Sequence, residues 1–189
     1  MTTMIGGLID GALRQAAPVV RGVAEEQLEL PTPCGDYTVR ELLGHLMQVV
    51  VNFQELAEKR PVDWAEDRDW LAGDWRERFV REGERLAAAW SRPAAVEGVT
   101  GGMGMPADRV GGMVLLDLTV HVWDLAAALG VAFAPDPAAV GHLVPLTAEL
   151  APTGREMGMF AEAVPTGPDA PPFERLIALT GRDPGWRRN

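Results

Sequence analysis

The sequence has one cysteine and one lysine, and each scarcity excludes a class of site or partner. A single thiol, Cys34, cannot form an internal disulfide or supply a metal site with several thiolates from one chain. Lys59 stands against sixteen arginines, and the net charge is −10. Such an acidic chain lacks the basic face with which nucleic-acid-binding proteins displace counterions, so we expect no nucleic-acid partner.

Long apolar runs are also missing. The longest candidate, residues 113–122, is interrupted by Asp117 and His121 and is too short to cross a bilayer. Residues 1–11 contain Asp10 and lead into a helical pattern, unlike a secretory signal segment. We therefore expect a cytoplasmic protein without a membrane partner. With 189 residues, 47% of them hydrophobic, the chain can bury the core of a single domain spanning residues 1–189.

Hydrophobic residues recur at helical spacing along most of the chain. Pro18 predicts a kink or a break in the first helix. Thr38 followed by Glu41 predicts a capping box at the start of the second helix. Pro106 is suited to the first position of the fourth helix, and Gly130 to its C-terminal stop. The predicted helices cover residues 4–28, 38–59, 67–90, 106–129, 137–150 and 173–179.

The long helices each carry one dominant apolar stripe, which predicts an all-α four-helix bundle with an extra short helix. Residues 151–189 are expected to form a loop-rich C-terminal tail that packs on the bundle as an extension. Within that tail we expect a loop over residues 152–172, with a short strand at 159–164. Four tryptophans are expected in the core: Trp64, Trp70, Trp75 and Trp90.

Three residues on two of these helices could together bind a metal ion. Asp117 and His121 are four residues apart, so their side chains stack on one face of the fourth helix. His45 lies at the edge of the apolar face of the second helix, where a buried imidazole needs a partner. Three such ligands would leave a coordination position open for water or substrate. The alternative is that Asp117 and His121 form an ordinary side-chain pair and that a neighbour satisfies His45.

Other polar residues have two interpretations each. Asp124 follows His121 by three residues and could accept the hydrogen of its second ring nitrogen, or it could cap or solvate the end of the bundle. Cys34 precedes a helix N-terminus, which can lower the pKa of a thiol. A free cysteine is nevertheless commonly buried for structural reasons, and we expect that of Cys34. His142 has no carboxylate one helical turn away, so we expect it to be structural or exposed.

Three segments carry a resemblance to a known family. Residues 31–45 read PTPCGDYTVRELLGH, residues 116–126 read LDLTVHVWDLA, and residues 170–184 read APPFERLIALTGRDP. They occur in the expected order, and the sequence resembles the DinB-like superfamily, in particular its actinobacterial branch that contains mycothiol-dependent maleylpyruvate isomerase. The scarcity of lysine, with abundant alanine and glycine, is typical of a GC-rich genome and agrees with such a source.

The resemblance implies a fold and a metal site. Members of the family are four-helix bundles that hold a divalent ion, often zinc or nickel, between helices two and four. Carried over residue by residue, the ligands are His45, Asp117 and His121. The related isomerase has Glu at the middle ligand, so the shorter Asp117 would bring the ion closer to helix four or bind it through a water.

The resemblance also implies chemistry. It indicates a metal-dependent enzyme, a thiol S-transferase or an isomerase, whose ion lowers the pKa of a bound low-molecular-weight thiol. Mycothiol is the expected co-substrate, and an electrophilic small molecule is the other partner. The alternative is a metal-binding bundle without turnover, with a structural or sensory role. The sequence is compatible with a homodimer.

Overall fold

The structure is a computed structural model that describes residues 2–35, 37–66, 68–102 and 104–188. It is 60% helical with six α-helices, so the all-α prediction is confirmed. The helices are α1 (Met4–Arg21), α2 (Val39–Ala57), α3 (Trp75–Trp90), α4 (Ala107–Leu129), α5 (Pro137–Glu156) and α6 (Pro172–Leu179). Two short strands, β1 (Val99–Thr100) and β2 (Met105–Pro106), pair antiparallel with Val99 opposite Pro106.

The core lies between α1, α2, α3 and α4. Helix α1 packs on α3 and α4, and α2 packs on the same two helices from the other side. Helix α5 covers α4, and α6 packs on α5. The close approach of α4 depends on Gly111, because a Cβ there would lie 2.9 Å from the ring of Trp90 and 3.1 Å from Ile5. The glycine that weakens the helix locally therefore permits its packing.

Helix α4 is the central helix. It is long and apolar enough to cross a membrane, although its longest uninterrupted apolar run is too short to do so. However, 72% of its most apolar window is buried inside the fold. That degree of burial is typical of the core helix of a folded domain.

Helix α1 is shorter than predicted. It continues through Pro18, which is exposed to solvent, and ends at Arg21 instead of residue 28. Gly22 follows, and the carbonyl of Val23 then accepts hydrogen bonds from the Arg76 guanidinium at 2.6 and 3.1 Å. A contact with α3 thus replaces the next turn of the helix.

Helix α3 begins at Trp75, eight residues later than predicted; residue 67 itself lies outside the described residues. Gly73 has φ of +66°, a left-handed conformation that interrupts a right-handed helix. The predicted core position of Trp64 is wrong, because this side chain is 47% exposed. It rests on the rim of the core with its ring 5.9 Å from that of Phe53.

The C-terminal half differs in three places. Pro106 is the last residue of β2 and precedes α4 instead of being its first residue. Helix α5 extends to Glu156 through Pro145 and Pro152, both of which are exposed, so the carbonyl groups they leave without a partner face water. Among the described residues 159–164 there is no strand, since they form a loop with isolated backbone hydrogen bonds and no ladder.

Candidate metal centre

Helix α2 places His45 through a well-formed N-terminus. The hydroxyl of Thr38 accepts a hydrogen bond from the backbone N–H of Glu41 at 3.3 Å. In return, the carboxylate of Glu41 accepts one from the backbone N–H of Thr38 at 2.8 Å. This is the predicted capping box, and it fixes the start of the helix two turns before His45.

The structure brings His45, Asp117 and His121 together at the α2–α4 interface. Their ligand atoms all lie within 4.8 Å of one another. Nε2 of His121 lies 3.7 Å from Oδ1 of Asp117, and the rings of His45 and His121 meet edge to face with centroids 4.9 Å apart. His121 is buried, while the side chain of Asp117 is 31% exposed, so the cluster is open on the Asp117 side.

The electrostatics of the cluster favour neutral imidazole at His45. Burial, together with smaller contributions from the nearby His121 and Arg182, lowers the pKa of His45 to about 3. Its ring nitrogens therefore keep a lone pair at neutral pH. Burial raises the pKa of Asp117, whereas His121 and Arg182 oppose that rise. A carboxylate that is costly to ionise in the empty site gains stabilisation when a cation is bound beside it.

A second carboxylate, that of Asp124, contacts the other ring nitrogen of His121. Oδ2 of Asp124 lies 3.0 Å from Nδ1 of His121, and Asp124 is fully buried. The sequence left two roles open for Asp124, and the structure places it as the hydrogen-bond partner of His121 and not at a solvated end of the bundle. Arg182 donates from Nε to both oxygens of Asp124 at 3.0 Å, and its Nη2 lies 3.4 Å from Nδ1 of His121.

The loop before α2 covers the cluster. The ring of Tyr37 stacks on that of His45 with centroids 5.7 Å apart and planes 20° from parallel. Cys34 is partly buried, and its sulfur lies within 4.8 Å of ligand atoms of both His121 and Asp124. The Thr32 hydroxyl anchors this loop by donating to the carbonyl oxygens of Cys34 and Tyr37 at 3.0 and 2.8 Å.

The residues present fit a divalent ion. Zinc binds imidazole nitrogen and carboxylate oxygen at about 2.0–2.2 Å, so two ligand atoms of one ion can be up to about 4.2 Å apart. The 3.7 Å between His121 and Asp117 lies within that limit. The contact between Nδ1 of His121 and Asp124 is compatible with a tautomer whose Nε2, on the side of Asp117, keeps its lone pair for an ion. Two imidazoles and one carboxylate are also a donor set that zinc and nickel accept.

Three residues beside this cluster were not among the ligands and hydrogen-bond partners predicted from the sequence. Arg182 lies sixty-one positions after His121, in the third segment that carries the family resemblance, but no helical spacing links it to the centre. Tyr37 and Cys34 belong to the same segment of the family resemblance as His45, and this closeness in sequence could have indicated that they lie beside the cluster. Cys34 is partly buried, and its sulfur lies near His121 and Asp124, so the role expected of it as a buried structural residue stays a prediction.

The third histidine lies elsewhere. His142 lines a cleft of about 240 Å³ between the N-terminus, α4 and α5, together with Asp108 and Arg109. A larger cleft, of about 300 Å³, lies between α2, α3 and the loop that contains Trp70. Neither cleft is lined by the three candidate ligands.

Comparison with known proteins identifies related sequences. Residues 9–126 match the family described as the mycothiol maleylpyruvate isomerase N-terminal domain. The matched segment includes the three candidate ligands and Asp124, but not Arg182. Two uncharacterized proteins of Mycobacterium tuberculosis, from strains CDC 1551 and H37Rv, are each 32% identical over 181 residues, covering 88% of this chain and 91% of the relative. No solved structure matches the chain significantly.

Proposed function

This chain belongs to the family of mycothiol maleylpyruvate isomerase N-terminal domains, and from that premise we propose that it is a metal-dependent enzyme that uses a low-molecular-weight thiol. The observation that carries the proposal is the convergence of two imidazoles and a carboxylate from α2 and α4 on one point. The thiol we propose is mycothiol, and the reaction is an S-transfer to an electrophile or an isomerisation. The site of action is the cytoplasm, where such thiols are kept reduced.

His45, Asp117 and His121 would hold the ion, which is zinc or nickel. His45 contributes a lone pair that its low pKa keeps free of protons. His121 contributes Nε2, because Nδ1 is engaged by Asp124. Asp117 contributes the only negative charge among the three, which offsets part of the charge of a dication.

A bound divalent ion would lower the pKa of a thiol placed beside it and so supply a thiolate nucleophile at neutral pH. The protein's own residues would then orient the reactants. The exposed side of Asp117 gives a thiol access to the centre. Tyr37, stacked on His45, would cover the cluster at that ligand with the loop that Thr32 anchors.

A metal-binding bundle without turnover is the second candidate. The observation that favours it is the position of the two clefts, since neither is lined by His45, Asp117 or His121. An enzyme needs room for an electrophile next to its nucleophile. A structural or sensory metal site needs no such room.

Cobalt substitution separates the two candidates. We expect the Co(II)-loaded full chain to develop a sulfur-to-cobalt charge-transfer band when mycothiol, or N-acetylcysteine as a surrogate, is added. The same titration of Cys34→Ser excludes the protein's own thiol as the source of the band, and His121→Ala tests the site. An unchanged spectrum would contradict the enzyme proposal and favour the second candidate. Turnover assays with mycothiol and a panel of electrophiles would then identify the substrate class.

A further inference from the structure

The C-terminal segment after α6 is built as a turn that delivers Arg182 into the interior. The N–H of Gly181 donates to the carbonyl of Ala178 at 3.0 Å, and the N–H of Arg182 donates to that of Ile177 at 3.3 Å. Gly181 has φ of +82°, and a Cβ there would lie 2.6 Å from the Cβ of Ala161 and 2.8 Å from its carbonyl carbon. Only glycine fits both requirements, so the turn depends on Gly181.

Two nitrogens of the Arg182 guanidinium donate hydrogen bonds inside the fold. Nε donates to both carboxylate oxygens of Asp124 at 3.0 Å, and Nη1 donates to the carbonyl of Thr180 at 3.2 Å. The side chain of Arg182 is 8% exposed and that of Asp124 is fully buried. A buried arginine bridging the tail and α4 fixes where the carboxylate points, because its planar donors permit few orientations.

The orientation of Asp124 decides which nitrogen of His121 carries the hydrogen. An ionised carboxylate only accepts hydrogen bonds, so the ring nitrogen 3.0 Å from it must be the protonated one. Nη2 of Arg182 lies 3.4 Å from the same nitrogen and would donate to it only in the opposite tautomer, whereas the shorter contact to the carboxylate favours a hydrogen on Nδ1. His121 is therefore the Nδ1–H tautomer, with the Nε2 lone pair towards Asp117.

We propose that Arg182 is a positioning residue of the metal centre, which acts through Asp124 to hold the His121 ring and its tautomer ready for the ion. The inference rests on the proposed metal binding and extends it beyond residues 9–126, since the tail then completes the site. Second partners of ligating histidines commonly change metal affinity by about 10–100-fold when they are removed.

The competing explanation is that Arg182 only anchors the C-terminal segment to α4 and has no effect on the metal centre. Arg188 provides a control for this explanation. Arg188 also reaches α4 from the tail, where its Nη1 donates to the carbonyl of Ala128 at 2.6 Å. It touches neither Asp124 nor His121. If tail anchoring alone matters, Arg182→Met and Arg188→Met should have similar effects on the metal centre.

The test compares zinc affinity and the His121 tautomer in full-length proteins. Isothermal titration of zinc should give Arg182→Met an affinity roughly 10–100-fold below that of the wild type, with Arg188→Met unchanged. Nitrogen-15 NMR of the metal-free proteins should give His121 as the Nδ1–H tautomer in the wild type and as a mixture in Arg182→Met. His142→Gln serves to assign the ring signals.

If Arg182→Met does not fold, the double variant Asp124→Asn/Arg182→Met, which removes both buried charges, is compared with Asp124→Asn alone, because a residue that acts only through Asp124 should add nothing to the effect of that change. We expect the same loss of affinity and of a single tautomer in the double variant. Wild-type affinity and an unchanged tautomer in a folded variant would overturn the inference. A wild type that binds no zinc would overturn the proposed function instead, and the NMR comparison alone would then decide whether Arg182 positions His121.

Discussion

Replacing Asp117 by Asn should lower metal affinity without lowering the stability of the metal-free protein. Asn has nearly the shape of Asp but carries no charge. Burial raises the pKa of Asp117, so its ionised form is less favourable in the folded chain than in the unfolded one at neutral pH. Removing the charge should therefore leave the metal-free protein equally stable or slightly more stable.

The metal-bound protein should respond in the opposite direction. Asp117 faces Nε2 of His121 at 3.7 Å, so an ion between them would lose its only directly facing negative charge. Two unit charges at 4 Å attract by about 4 kcal/mol at an effective dielectric constant of 20. Part of that is offset because the carboxylate, whose side chain is 31% exposed, gives up bound water when the ion binds. We expect affinity to fall by at least about tenfold, which is about 1.4 kcal/mol.

Isothermal titration of zinc into the metal-stripped proteins measures the affinity, and urea unfolding measures the stability. Asp117→Glu should retain more affinity than Asp117→Asn, since it keeps the charge and reaches further. Asn as tight as Asp would refute the ligand assignment. If both variants bound as the wild type does, Asp117 would be a structural partner of His121, and Asp124 would be the carboxylate to test next.

Three further changes test the frame of the centre. Thr38→Ala should destabilise the protein by about 1 kcal/mol in a denaturant melt, because the Glu41 N–H loses its cap; no change would mean that the cap is dispensable. From about pH 4 to about pH 7, the free energy of unfolding of the metal-free wild type should rise by roughly 3 kcal/mol more than that of His45→Gln. The reason is that the pKa of His45 falls from 6.5 to about 3 on folding, so at acid pH the unfolded chain is protonated before the folded one. Parallel pH profiles would contradict a buried neutral His45. Gly111→Ala should destabilise by about 1–3 kcal/mol despite better helix propensity, because the new methyl meets the Trp90 ring at 2.9 Å; a more stable variant would refute that packing.

Local signals in the sequence predicted the parts of the centre that depend on one helix. The capping box of Thr38 and Glu41 fixed the start of α2, and helical spacing put Asp117 and His121 on one face. These features need only the geometry of a single helix, which the residue pattern determines. The all-α class followed from the same periodicity.

Contacts between distant segments determine the features of the fold that the sequence pattern did not predict. The carbonyl of Val23, just after α1 ends, accepts a hydrogen bond from Arg76, fifty-three residues away, and only a short 3-10 helix, Glu25–Gln27, follows within the predicted range. Arg182 reaches Asp124 across fifty-eight residues through a turn that Gly181 alone permits. No periodicity links such partners, so the tail's share in the centre emerged only from the fold.

Metal content of the reconstituted full chain tests the central claim most directly. Wild type dialysed against zinc and then freed of excess ion should contain about one zinc per chain, because His45, Asp117 and His121 form one cluster. His121→Ala should lose most of that zinc, while His142→Ala, which alters the histidine of a different cleft, should retain it. Equal zinc content in wild type and His121→Ala, or no zinc in either, would contradict the account.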